Sequence, residues 1–267
     1  MLSVDVQIPD PSRFVSDAEI DEIALAYSQA DRTKGQNKAA FPVDMERFVD
    51  RVEVSLLWEE IAEPDGAFFL ASYTPDDGGL ITMNERHRHL FDGRPEIYAT
   101  CIGHEIGHRI LRHHEHRIFQ PAPPSLFEER EKAQHVFHKS SWNQYGMTKE
   151  EVMERKLFIQ NLAKNALVSN KARQILTQMQ DHFEPEWMFW QAEHFSLCMQ
   201  VPKDRLLEIL EDGADYTSWR GIYQLGERFA ITGSMMKRRL TKLKLIKIGQ
   251  DGNPFQVFPT GQESLFN

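Results

Sequence analysis

Apolar positions fall at helical spacing in several stretches of the chain and alternate in others, and the change from one period to the other divides it into elements. From Asp17 to Gln29 the residues Ile20, Ile23, Ala24 and Tyr27 lie on one stripe, which predicts an amphipathic helix. Residues 31–40 are polar and contain Gly35, so they read as a loop. Pro42-Val43-Asp44 then opens a second helix running through Val52, with proline near the start as helix entry favours. Three short β-like runs follow: Val52 to Trp58, Ala67 to Tyr73, and Gly79 to Met83. The turn-forming stretch Pro75-Asp76-Asp77-Gly78-Gly79 separates the last two.

Asp92-Gly93-Arg94-Pro95 announces a longer helix, from about Glu96 to His114. On it Ile97, Cys101, His104, His108 and Leu111 keep helical spacing, so two histidines share an inward-facing apolar stripe. Pro121-Ala122-Pro123-Pro124 ends this unit, and about 117–183 reads as a helix-rich insertion with a weaker core signal. Glu184 to Met199 is a further helix, crowded with Trp187, Phe189, Trp190 and Phe195 and stopped by Pro202. Near Asp215 the pattern changes again. Ile222 to Phe229 and Met235 to Leu243 read as two short helices around a turn. Leu245 to Ile248 and Pro254 to Phe258 read as a hairpin around Asp251-Gly252-Asn253. The expected organisation is a core over 1–212 carrying the insertion and a winged-helix-like module over 213–267.

The 267 residues are 41% hydrophobic and 27% charged, an ordinary globular composition, and no window approaches the apolar length of a membrane span. The N-terminus lacks the layout of a secretory signal, and two cysteines, Cys101 and Cys198, cannot build a disulfide framework. A cytoplasmic protein is the expectation. The net charge of −9 is uneven: from Asp215 onward eight Lys/Arg oppose four acids, so the tail is +4 and the rest −13. Nucleic-acid contact, if any, belongs to Lys237, Arg238, Arg239 and Lys242. That charge is modest for DNA binding, and a structural or protein-binding module is the preferred reading.

The sharpest chemical signal is His104-Glu105-Ile106-Gly107-His108. Residues four apart on a helix point the same way, so both imidazoles can grip one ion. Zinc is the expected metal, with manganese as the alternative. Glu105, about 100° round from His104, can reach a water polarised by such an ion and take its proton. Two neutral histidines buried side by side without a shared partner would be hard to satisfy. His113, His114 and His116, set beside Arg112 and Glu115, read instead as a solvated helix end.

With the motif placed, the chain resembles the ImmA/IrrE family of metallopeptidases. The resemblance rests on the Pro42-Val43-Asp44 helix entry, the Gly79-Leu80-Ile81-Thr82-Met83-Asn84 strand, the His-Glu-x-Gly-His core and the segment from Trp190 to Pro202. It implies an α+β fold with a zincin-like core and a small three-stranded sheet. It further implies His104 and His108 as metal ligands and Glu105 as general base. The implied activity is endopeptidase action on a protein partner, a helix-turn-helix repressor, in a stress or mobile-element response. The family's third ligand, a Glu directly before Trp-Gln-Ala, corresponds here to Phe189. Glu193 and Glu186 share that helical face, and Glu193 is the preferred substitute. Glu193 could equally be a hydrogen-bonding partner behind a ligand histidine. If neither substitutes, the site keeps two ligands. The rival functions are a non-catalytic regulator with a degenerate metal site and a transcription factor reading DNA through the tail.

Overall fold

The computed structural model describes residues 2–34 apart from 3, 9 and 12, then 42–63, 69–75, 78–115, 137–140 and 186–257. The expected insertion at 117–183 lies outside the described residues except for one strand. Among the described residues the fold combines helices with two small sheets, an α+β arrangement.

Helix α1 (Asp17–Lys34) runs a turn beyond its predicted end, and α2 (Met45–Arg51) is capped by Asp44, whose side chain accepts from the Arg47 amide. The strands β1 (Ser55–Glu59), β2 (Phe69–Thr74) and β3 (Leu80–Asn84) match the three alternating runs to within a few residues. β3 lies between β1, to which it is parallel, and β2, to which it is antiparallel. A fourth strand, β4 (Phe137–Ser140), pairs antiparallel with the outer edge of β2, so the sheet order is β1-β3-β2-β4. Among the described residues the expected three-stranded sheet therefore has a fourth strand. β2 is buried along nearly its whole length, and a buried edge cannot leave its N–H and C=O groups without partners.

Helix α3 (Pro95–Ile110) begins with proline in its first turn and packs across the sheet. Helix α4 (Glu186–Gln200) lies against both α3 and α1. These elements enclose one apolar cluster, which includes Ile20, Phe48, Leu70, Ile81, Ile97, Ile106 and Phe195.

Pro202 ends α4 and enters α5 (Lys203–Glu211), a helix that the aromatic pattern ahead of it hides. Then α6 (Trp219–Arg228) and α7 (Gly233–Lys242) are joined by a short turn, and the antiparallel pair β5 (Ile246–Ile248) and β6 (Pro254–Gln256) follows. A second apolar cluster gathers Leu225, Phe229, Ile231, Met236, Leu240 and Ile246 with Leu197, Val201, Leu206 and Ile209. The C-terminal elements thus share a core with the end of α4 and with α5, on both sides of the boundary drawn at 212.

One cation ties this second core to the first. Arg239 on α7 is 1% exposed; it donates from Nε to the Val201 carbonyl at 2.9 Å and pairs through its other nitrogens with Asp21 of α1 at 2.6 Å and the Cys198 sulfur at 3.2 Å. Removing one member of a buried pair leaves the other charge poorly solvated. Because Asp21 keeps some contact with water, Arg239→Ala is expected to cost about 2–3 kcal/mol, less than for a fully enclosed pair. Urea denaturation checks this. A change under about 0.5 kcal/mol, typical of a surface substitution, would mean that the pair contributes little.

Candidate metal centre

Helix α3 buries one side against the sheet and another against α4, and His104, Glu105 and His108 are all fully buried between them. The approach of the two helices is set by glycine. A Cβ on Gly107 would come within 2.9 Å of the Ala192 Cα, and one on Gly103 within 2.5 Å of the Ser196 hydroxyl. Small residues four apart on α3 therefore meet small residues four apart on α4. Ser196 reinforces the contact by donating to the Thr100 carbonyl at 3.0 Å. This close packing brings the Phe189–Glu193 turn of α4 beside His104.

The two motif histidines face each other through Nε2, 3.1 Å apart. Two nitrogens bound to one tetrahedral zinc, each at about 2.0–2.1 Å, stand roughly 3.3 Å apart, so this spacing suits a shared ion. Each ring also has a partner behind it. The Nδ1 of His108 lies 2.9 Å from Nδ1 of His113, and Nε2 of His113 lies 3.0 Å from Oε1 of Gln191. Gln191 in turn donates from Nε2 to the Val15 carbonyl at 2.8 Å. On the other side, Nδ1 of His104 lies 3.4 Å from the Glu193 carboxylate. Burial, and then the neighbouring His108, push the His113 imidazole well below the usual histidine range, so it is neutral at physiological pH.

Of the expected residues, His104 and His108 are brought together through Nε2, and Glu105, next on the helix, is fully buried. Glu193 also reaches the centre, but at the His104 nitrogen turned away from His108. Were His104 a metal ligand, a carboxylate at that nitrogen would orient the ring from behind rather than hold the ion. Phe189 stands where the resemblance expects a ligand, its ring centroid 4.7 Å from that of His104. The Glu186 side chain lies outside the described residues. Among the described residues, no three His, Cys, Asp or Glu side chains converge as a ready-made metal shell.

His113 is not part of a solvated helix end. It is 2% exposed, with Trp187 edge-on at 5.8 Å. The reason is backbone geometry: α3 stops at Ile110, and Arg112 takes a left-handed conformation with φ of 57°, which folds the next residue back beneath the helix. Such a stop usually carries glycine, so nothing in the local pattern announced it. Gln191 is likewise one polar residue in an aromatic helix, and nothing in the sequence marks its reach to His113.

The basic residues of α7 divide. Arg239 is spent on the contacts with Asp21, Cys198 and Val201, and Lys242 pairs with Asp17 while lying over the Trp190 ring at 5.1 Å. Lys237 and Arg238 remain partly exposed.

In comparisons with known proteins, no family model matches the chain and no curated relative does. Among the described residues no helix is long and apolar enough to cross a membrane.

Proposed function

We propose that the chain is a metal-dependent endopeptidase of the ImmA/IrrE type, with a zincin-like core, acting on a protein partner such as a helix-turn-helix repressor. One observation carries this reading: two buried imidazoles four residues apart face each other through Nε2 at a spacing that suits a common ion, with a buried carboxylate next in sequence. His104 and His108 would hold the metal, zinc or manganese. When bound, such an ion would polarise a peptide carbonyl and acidify water. Glu105 is the group to accept the proton, and Glu193 orients His104 from behind. The third donor is the open element of the site. Phe189 occupies the turn that would supply it, which favours the second reading, a regulator with a degenerate two-histidine site.

The elements α6, α7 and the β5–β6 hairpin support a winged-helix-like module. The inward use of Arg239 and the pairing of Lys242 support a role in packing or partner binding over DNA reading.

Zinc uptake tests the proposal. The metal-free full chain is expected to take up about one zinc per molecule, and His104→Ala to weaken binding at least tenfold. Bound zinc should also raise the melting temperature of the wild type, since a ligand selective for the folded state stabilises it. No uptake by the wild type on reconstitution would withdraw the metal, and the enzyme with it.

A further inference from the structure

A histidine that offers Nε2 to a metal must carry its proton on Nδ1, and in water a free imidazole does not hold that tautomer firmly. We propose that His113 and Gln191 are positioning residues that lock His108 in the Nδ1–H tautomer, with its Nε2 lone pair turned toward His104.

The argument runs inward from the backbone. The Val15 carbonyl can only accept, so the Gln191 atom 2.8 Å from it is the amide nitrogen. That fixes the Gln191 oxygen toward His113, 3.0 Å from its Nε2, which must therefore donate. With that proton on Nε2, a second one on Nδ1 would put a charge on a ring only 2% exposed, which is costly, so Nδ1 of His113 is the acceptor. The atom facing that acceptor at 2.9 Å is Nδ1 of His108, which must then carry the proton. A neutral His108 is left with a bare Nε2, the atom 3.1 Å from Nε2 of His104. The chain of four groups starts at a main-chain oxygen just ahead of α1, so the ring state at the centre is set by the docking of α1 on α4.

The inference deepens the proposed metal role but is read independently of it. In the metal-free full chain with 15N-labelled histidine, long-range proton–nitrogen spectra are expected to show His108 protonated at Nδ1 and bare at Nε2, and His113 protonated at Nε2. In His113→Phe the acceptor is gone, so the Nε2–H form of His108 should appear. Zinc affinity, measured with zinc alone against a chelating dye, should fall about tenfold to a hundredfold. His113→Gln should restore both, because its side-chain oxygen can accept from Nδ1. A merely structural histidine would lower stability without moving the tautomer. An Nε2–H form of His108 in the wild type would overturn the proposal even if His113→Phe does not fold. So would a folded His113→Phe with unchanged tautomer and zinc affinity. Failure of the wild type to take up zinc would instead overturn the function proposed above, with the tautomer still read from the metal-free spectrum.

Discussion

Glu105→Gln is expected to lower peptide-bond cleavage at least a hundredfold while leaving zinc stoichiometry unchanged. The amide keeps the size and planarity of the carboxylate, so the packing of a fully buried position between α3 and its neighbours should survive. What it loses is the ability to accept a proton, and a positioned general base typically contributes 10²–10⁴-fold. Glu105 follows His104 directly, about 100° round the helix, so on the proposed reading it would stand beside the ion rather than ligate it. Initial rates on casein, with one equivalent of zinc and a chelator-treated control, give the activity. Elemental analysis of the same samples gives the metal. Equal rates in wild type and variant would remove Glu105 from the reaction. A wild type that binds zinc yet cleaves neither casein nor a helix-turn-helix repressor would favour the regulator.

Strand β1 was legible because its positions alternate in exposure and so write a period of two into the sequence. β2, buried on both faces, was marked instead by its apolar run and the turn residues after it, and α3 by its Pro95 entry and helical apolar stripe. The ends of elements were less legible. In the sequence the periodic stripe on α3 continues through Leu111 to the histidines, but the helix ends at Ile110 and Arg112 adopts a left-handed conformation that its side chain does not advertise. Helix α5 is hidden in the sequence behind the aromatic run of α4 and Pro202, a residue that signals a stop and here serves as the N-cap of the next helix. The pairing partner of β2 came from residues 137–140, far along the chain, where no short-range pattern could identify it.

The centre itself was partly legible. The spacing of His104 and His108 was enough to predict facing imidazoles, because a helix converts sequence separation into direction. The groups behind them depend on tertiary approach. Gln191 meets His113 only because Gly103 and Gly107 let α4 lie close on α3, and Glu193 meets His104 for the same reason. Charge was the least transferable signal. Arg239 counts toward a basic tail in the sequence, whereas in the fold it is buried against Asp21 and unavailable to any partner.

Phe189→Glu is expected to tighten zinc binding about a hundredfold, roughly 2.7 kcal/mol, and to weaken the metal-free fold at the same time. The opposed signs follow from one substitution. The Phe189 ring lies 4.7 Å from the His104 ring and is partly buried, so replacing it removes apolar contact and brings a carboxylate into a largely desolvated place. Without metal, the loss should be about 1–3 kcal/mol, the usual range for an unfavourable partly buried polar group. With zinc, the carboxylate gains a cation beside two imidazoles and completes the three protein donors that a catalytic zinc site commonly has. The melting temperature of the variant should therefore start below that of the wild type and recover as zinc is added. A companion substitution separates the two roles open to Glu193. If it orients His104, Glu193→Gln keeps an oxygen to accept from Nδ1 and should retain most of the zinc affinity. If it ligates the ion, the neutral amide should bind far more weakly. Zinc titrations of the three proteins decide the matter. Unchanged affinity in Phe189→Glu would mean that the position does not face the ion, and the third donor would have to be sought elsewhere. Tighter zinc binding with no gain in casein cleavage would show that the missing ligand is not what limits activity.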